Sequence, residues 1–147
     1  MSPCGTRPAT SARSSISPRR IRLASRRRNS IGYPKIKWVL CHLGGAVRRP
    51  AERFDRGYEA FDECRKNISR APSTYLKQFY YDPVNFDVNN IELAIKFAGV
   101  DHILAGSDYP HQIGSIPEML DAISRLPVSP AEREGIYGRN ATNLLGF

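Results

Sequence analysis

The chain has 147 residues, which is enough for one domain with a modest core. Its formal net charge is +8, but the charge is uneven: residues 1–34 contain eight of the 22 lysines and arginines and none of the 14 acidic residues. Residues 35–147 are therefore electrically balanced, and their composition does not favour a nucleic-acid-binding domain.

The cysteines and the hydropathy pattern exclude further classes of protein. Cys4, Cys41 and Cys64 form neither a paired framework nor a CxxC motif, which argues against a disulfide scaffold or a zinc finger. No apolar run approaches the roughly 20 residues of a membrane helix, and no apolar signal segment lies near the N-terminus. We therefore expect a cytoplasmic protein without a membrane partner.

Residues 1–34 are predicted to form a disordered leader, because they are rich in Arg, Ser and Pro and poor in apolar residues. Three interpretations remain open: an organelle transit peptide, a nonspecific binder of nucleic acid or other anions, or an out-of-frame or misassigned start joined to a real domain. No aromatic residues separate the arginines, which argues against binding of single-stranded nucleic acid. Residues 35–147 are predicted to be the folded domain.

The folded part begins with a strand, a helix and a second strand. A short apolar run at residues 38–41 predicts a buried strand. Residues 50–66 predict a helix, since apolar residues recur there at spacings of four, three and three. These residues are Phe54, Tyr58, Phe61 and Cys64. Residues 79–81 predict the second strand.

The second half of the folded part adds a strand and several helices. Residues 87–98 predict a helix that Gly99 ends, and residues 101–107 predict a third strand. Two capping boxes and a last helix are predicted at Ser115–Glu118, Ser129–Glu132 and residues 140–145. The order β-α-β-α-β-α-α implies an α/β fold with parallel strands and right-handed connections.

Two polar residues follow two of these predicted strands. His42 follows the first strand and Asp108 follows the third. Because ligand-binding groups in parallel α/β folds lie at the carboxyl ends of the strands, we expect both residues at one functional site. The alternatives are a buried histidine bonded to the backbone at 42, and an aspartate that caps the turn into Tyr109-Pro110 at 108.

Other polar residues are weaker candidates. His111 is close enough in sequence to Asp108 to line the same pocket, or it is solvated. A substrate carboxylate could be bound by one of four arginines, or these could form solvated ion pairs with acidic residues on the helix; they are Arg48, Arg49, Arg53 and Arg56. Asp82 is expected at the rim of the middle strand or as a turn residue before Pro83.

His102 and Asn85 are two further polar residues to consider. His102 begins the third predicted strand, at the end opposite to His42 and Asp108, so a structural role is predicted. Asn85 follows the middle strand and is expected to line the rim.

Four stretches of the folded part resemble the amidohydrolase-2 family, whose members include aminocarboxymuconate-semialdehyde decarboxylase and related aromatic-acid decarboxylases. These stretches are YPKIKWVLCHLGGA, YYDPVNFD, DHILAGSDYPH and GRNATNLLGF. HLGGA and GSDYP, each after a predicted strand, form the more specific pair. The resemblance covers nearly all of residues 33–147.

The resemblance implies a fold, an activity and roles for individual residues. The fold is the C-terminal part of a (β/α)8 barrel, with the sixth to eighth strands present. The activity is that of a metal-dependent hydrolase or nonoxidative decarboxylase acting on a small carboxylated or aromatic substrate, with zinc the expected divalent metal. The resemblance makes His42 the catalytic acid or base, Asp108 a metal ligand that activates water or substrate, and Arg53 the residue that holds a substrate carboxylate.

The chain departs from the family in its metal ligands. The family site needs a His-x-His motif and a further histidine, whereas this chain has three histidines and no His-x-His. We therefore expect tight metal binding and catalysis to be absent from the isolated chain, whose origin would be a truncated or frameshifted gene or one half of a split protein. The rival hypotheses are a fragment complemented by an N-terminal barrel half or a homo-oligomer, an anion-binding or nucleic-acid-binding leader, and an organelle-targeted protein.

Overall fold

A computed structural model describes residues 35–45, 47 and 50–147. The predicted leader, residues 1–34, lies outside the described residues, as do Arg48 and Arg49. Within the described part, no helix is long and apolar enough to cross a membrane.

Two short parallel strands form the sheet. β1 (Val39–Leu40) pairs with β2 (Tyr80–Tyr81), with Val39 opposite Tyr80. A parallel bridge joins Tyr81 to Ile103 on the other side of β2, where the Leu104 amide donates to the Tyr81 carbonyl at 2.9 Å. The three chain segments are thus parallel, with β2 in the middle.

The predicted third strand at residues 101–107 is reduced to this one bridge. A short 3₁₀ helix occupies Val100–His102, and the chain then runs extended. The Ala105 amide donates to the Ile136 carbonyl at 3.0 Å, so this segment bonds to β2 on one side and to the C-terminal helical region on the other.

Helices make up most of the described structure. The α-helices are α1 (Ala51–Ala60), α2 (Asp62–Arg65), α3 (Pro72–Leu76), α4 (Val88–Ala98), α5 (Ile116–Ser124), α6 (Pro130–Glu134) and α7 (Asn140–Leu145). Short 3₁₀ helices lie at His42–Gly44 and Val100–His102, and one π-helical turn spans Gly135–Arg139.

The helix predicted at residues 50–66 is divided into α1 and α2. Phe61 separates the two with extended backbone (φ −125°, ψ 123°). The side chains of Phe54 and Phe61 are 43% and 55% exposed, so the described residues leave much of the predicted apolar face uncovered.

The core lies between the sheet and the later helices. Tyr81 and Ile103 occupy its centre and pack with buried residues of α4 and α5. Those residues are Ile91, Ala94, Met119, Ala122 and Ile123. The predicted helix at 87–98 is confirmed as α4, with the Asp87 carboxylate accepting from the Asn90 amide at 3.2 Å and Gly99 at its C-terminus.

The two predicted capping boxes differ in outcome. At α6, the Ser129 hydroxyl accepts from the Glu132 amide and the Glu132 carboxylate accepts from the Ser129 amide, which completes the box. At α5, the Ser115 hydroxyl accepts from the Glu118 amide, but the Ser115 amide donates to the Ser107 carbonyl at 2.9 Å. The Ser115 amide therefore holds the loop that carries Asp108, instead of completing the capping box.

Candidate functional site

His42 and Asp108 lie side by side beyond the ends of the parallel segments. His42 Nε2 is 3.7 Å from Asp108 Oδ1, and His111 Nδ1 is 3.9 Å from Asp108 Oδ2. Both distances exceed those of hydrogen bonds, so the contacts are electrostatic and water-accessible. The arrangement places one carboxylate between two imidazoles, and three residues that the sequence singled out come together.

A left-handed turn presents His42 to solvent. His42, Leu43 and Gly44 have φ values of 56°, 55° and 73°. Leu43 is buried in the core, whereas the His42 side chain is 54% exposed, so the alternative of a buried structural histidine is wrong. Gly44 passes so close to the middle strand that a Cβ there would lie 2.8 Å from Tyr81 Cε1.

Asp82 closes the end of the middle strand beneath this turn. It is buried, and its Oδ1 accepts from the His42 amide at 2.7 Å and from the Val84 amide at 3.1 Å. Its backbone carbonyl accepts from the Leu43 amide at 3.2 Å. From the sequence, Asp82 was expected only at the rim or in a turn. Its position directly after a buried strand was the available signal. Its hydrogen bond to a turn 40 positions away in the chain could not be predicted from the sequence.

The Asp108 loop is held by its own backbone. Asp108 has a φ of 57°, and its carbonyl accepts from the His111 amide at 2.8 Å. The Tyr109 amide donates to the Ser107 hydroxyl at 3.3 Å, so Ser107 takes the local capping bond that the alternative assigned to Asp108. The Asp108 side chain is 27% exposed and is left facing the two imidazoles.

Among the described residues, neither Arg53 nor His102 bonds to this pair. Arg53 is exposed on α1, and within the described residues no hydrogen bond or ion pair joins it to His42 or Asp108. His102 Nδ1 is 2.9 Å from the Phe79 carbonyl oxygen, and its ring stacks on Tyr80 with centroids 4.6 Å apart. The predicted structural role of His102 is therefore confirmed. Asn85 is exposed, and its side-chain oxygen accepts from the Asn90 amide group at 3.0 Å.

The pKa of the Cys41 thiol depends on the negative charges at the strand ends. Desolvation raises the pKa of the Cys41 thiol, and the charge of Asp82, a hydrogen bond to Asp82 and the charge of Asp108 raise it further. The two carboxylates therefore act on the same thiol, which places both of them near the ends of the parallel segments.

The described residues do not complete a metal site. Among residues 35–45, 47 and 50–147, no group of three or more His, Cys, Asp or Glu side chains is arranged to hold a metal ion. Protein zinc sites use at least three protein ligands. Asp108 offers one oxygen donor, which by itself falls short of that number.

Parallel segments with helical connections, and polar residues gathered beyond their ends, define an α/β arrangement that is consistent with a portion of an α/β barrel. The family model of the amidohydrolases (Amidohydro_2) matches residues 30–147. The chain belongs to this amidohydrolase-2 family, as the sequence resemblance predicted.

Two curated relatives are decarboxylases. The chain is 29% identical over 114 residues to the 2-amino-3-carboxymuconate-6-semialdehyde decarboxylase of Caenorhabditis elegans, a match that covers 77% of this chain and 28% of the relative. It is 25% identical over 117 residues to the decarboxylase of the same name from Dictyostelium discoideum, covering 78% of this chain and 32% of the relative. The chain thus spans about a third or less of these relatives.

Solved structures of barrel decarboxylases have the same fold. Dihydroxybenzoic acid decarboxylase from Polaromonas sp. JS666, solved with manganese and 2-nitroresorcinol, is 28% identical with a TM-score of 0.68; the match covers 80% of this chain and 36% of that one. The complex of 2,6-dihydroxybenzoate decarboxylase with 2,6-dihydroxybenzoate matches in fold, with a TM-score of 0.69 at 24% identity, over 80% of this chain and 37% of that one. A divalent metal, manganese, is therefore present in the family.

Proposed function

We propose that residues 35–147 form the acid–base part of a nonoxidative decarboxylase site, in which His42 and Asp108 are the catalytic residues. The observation that carries this proposal is the 3.7 Å approach of His42 Nε2 to Asp108 Oδ1 beyond the ends of the parallel segments. The decarboxylases among the relatives and solved neighbours support this reaction over hydrolysis.

Decarboxylation requires a proton at the carbon that loses carbon dioxide. The bond between that carbon and the carboxylate breaks, its electron pair stays on the carbon, and a proton takes the place of carbon dioxide. In this proposal the His42 imidazolium donates the proton, and Asp108 stabilises the positive charge before the transfer. The substrate is a small aromatic or unsaturated carboxylate, for which Arg53 remains the proposed binding residue and His111 a second proposed contact.

Asp108 is also the proposed metal ligand of this chain. A bound divalent ion would polarise a substrate oxygen next to the carboxylate that leaves. Zinc was the expected ion, and manganese in the Polaromonas decarboxylase makes either ion a candidate. Because the described residues lack a complete ligand set, we propose that the chain alone is inactive.

The missing ligands are proposed to come from further barrel strands, in a complementing chain or a longer form of this one. Two observations favour this. The match covers only 36% of the Polaromonas barrel, and β1 has no strand on its outer edge among the described residues, where Ile36 and Val39 are 47% and 44% exposed. An unpaired apolar strand edge favours pairing with another strand.

A chimaera tests the catalytic roles directly. Residues 35–147 replace the matching part of 2,6-dihydroxybenzoate decarboxylase, and release of carbon dioxide from 2,6-dihydroxybenzoate is measured with manganese present. We expect an active chimaera whose kcat falls by about 100-fold or more in His42→Asn and in Asp108→Asn. The control is Asp121→Asn, which removes a carboxylate that is paired with Arg125 on α5.

Two outcomes of this experiment would reject the proposal. One is an active chimaera in which His42→Asn keeps full kcat. The other is an active chimaera in which Asp121→Asn lowers kcat as much as Asp108→Asn does, since the effect would then be one of general charge loss.

A further inference from the structure

We propose that Asp82 is a positioning residue: its buried carboxylate holds the turn after β1 and thereby sets His42 against Asp108. This inference rests on the proposed function for its catalytic meaning. Its structural content, a coupling from Asp82 through His42 to Asp108, is testable without any activity.

The burial of Asp82 is the first step. The residue is 9% exposed, and a carboxylate out of water needs hydrogen-bond donors to remain there. It receives them from the His42 amide at 2.7 Å and the Val84 amide at 3.1 Å, both on Oδ1. A short bond to an ionised acceptor is stronger than one between neutral groups. The bond to His42 is therefore a principal contact of this buried group.

The conformation of the turn is the second step. His42 and Leu43 both lie in the left-handed region, which is unfavourable for residues with a Cβ. Two contacts with Asp82 hold them there: its side chain accepts from the His42 amide, and its carbonyl accepts from the Leu43 amide. With both amides fixed, the Leu43 side chain enters the core and the His42 side chain leaves it towards Asp108.

The third step links Asp82 to the other half of the pair. A Cβ built on Gly106 would lie 2.9 Å from Asp82 Cβ. Gly106 precedes Asp108 by two residues, so the Asp82 side chain packs against the segment that delivers Asp108. Through the Asp82 side chain, the end of the middle strand thus contacts both the turn that carries His42 and the segment that carries Asp108.

The test uses NMR spectroscopy of the full chain at one fixed pH. In the wild type, the His42 amide should exchange with solvent at least about tenfold more slowly than an unstructured amide. Asp108→Asn should also shift the His42 Hε1 resonance, because the two side chains are close. Exchange of the His42 amide at the unstructured rate would overturn the inference, and this result does not depend on any Asp82 variant.

Three variants then separate positioning from general stability. Asp82→Ala removes the acceptor, and we expect about tenfold faster exchange at His42 and loss of the Hε1 response to Asp108→Asn. Asp82→Asn keeps an oxygen acceptor and should restore that response. Gly106→Ala keeps Asp82 but displaces it, and it should also weaken the response.

Each outcome either supports or overturns the positioning role of Asp82. If Asp82→Ala also speeds exchange at Ile91 and Ile123 of the core, the chain has lost its fold, and the comparison of Asp82→Asn with Gly106→Ala is used instead. A Hε1 response that survives in Asp82→Ala, or in Gly106→Ala with the core intact, overturns the inference. An intact NMR coupling with a chimaera unaffected by His42→Asn would reject the proposed function and leave the positioning role standing.

Discussion

His42 Nε2 lies 3.7 Å from Asp108 Oδ1, although the two residues belong to the outer two of three parallel segments. A side chain at the end of one segment reaches across the middle strand to meet the other. This is possible because the His42 turn projects its side chain out of the core and because Asp108 itself adopts a left-handed conformation. The pair therefore depends on backbone geometry at both ends.

Gly114 fixes the Asp108 side of the pair. A Cβ on Gly114 would collide with the Asp108 carbonyl oxygen, which is backbone and cannot move independently. We expect Gly114→Ala to destabilise the fold by about 1–3 kcal/mol and to separate Asp108 from His42. Urea denaturation measures the first effect, and the His42 Hε1 resonance measures the second.

The matched control is Gly57→Ala in α1. A Cβ there meets nothing within 4 Å, and the position is helical, so this substitution should stabilise the fold by about 0.5–1 kcal/mol. Equal destabilisation by both alanines would contradict the account of the Asp108 loop.

The alkylation rate of Cys41 provides a test of the negative charge at the strand ends. Because desolvation and then Asp82 and Asp108 raise the pKa of its thiol, less thiolate forms at neutral pH than in a free cysteine. Asp108→Asn removes a negative charge, so it should lower the pKa of Cys41 and speed its alkylation by iodoacetamide. The pH dependence of the alkylation rate, in a background with Cys4 and Cys64 replaced by serine, measures the shift.

The control for Cys41 is Asp121→Asn, a carboxylate on the exposed face of α5. It should leave the alkylation profile unchanged. A profile that moves equally in both variants, or that does not move in Asp108→Asn, would place Asp108 too far from Cys41 for the proposed site.

Glu132 should make part of the stability pH-dependent. Its hydrogen bonds to Ser129 lower its pKa, so its contribution is present above the unfolded-state pKa of about 4.3 and is lost as the pH falls through the folded-state value. Thermal unfolding should therefore show a loss on Ser129→Ala at pH 7 that shrinks below about pH 4. A loss that stays constant down to pH 2 would mean that the bond from the Ser129 hydroxyl to the charged Glu132 carboxylate contributes nothing.

The exposed edge of β1 should govern association. Val39→Lys places a charge on this edge and should reduce self-association or capture of a complementing strand without changing the stability of the core. Sedimentation velocity measures the association. The control is Leu93→Lys, which adds the same charge to an exposed position on α4. If both lysines reduce association equally, net charge is the cause and the edge is not.

Local sequence patterns predicted much of this fold. The limits of α4, the capping box at Ser129 and the parallel order of β1 and β2 all follow from short-range signals, namely a capping aspartate, a Ser-x-x-Glu spacing and apolar runs joined by helices. The positions of His42 and Asp108, each directly after a predicted parallel strand, then predicted that the two would lie together, and their distance agrees.

Tertiary hydrogen bonds decided the features that the sequence did not predict. The third predicted strand begins instead as the 3₁₀ helix Val100–His102 and pairs with β2 at a single bridge, while Ala105 bonds to Ile136 on a distant helical turn. The second half of the Ser115 capping box is absent because the Ser115 amide bonds to Ser107. Asp82 accepts a hydrogen bond from the backbone amide of His42. Because nearly every residue has a backbone amide, the sequence does not show which one Asp82 binds.

The central claim is that His42 and Asp108 act as one acid–base unit, and a double-variant cycle in the active chimaera tests it most directly. The measured quantity is kcat/KM for 2,6-dihydroxybenzoate in His42→Asn, Asp108→Asn and the double variant. The account predicts that the double variant is no more than about threefold slower than the slower single variant, because each substitution already breaks the unit. Losses that multiply in full would show two independent residues and would contradict the account.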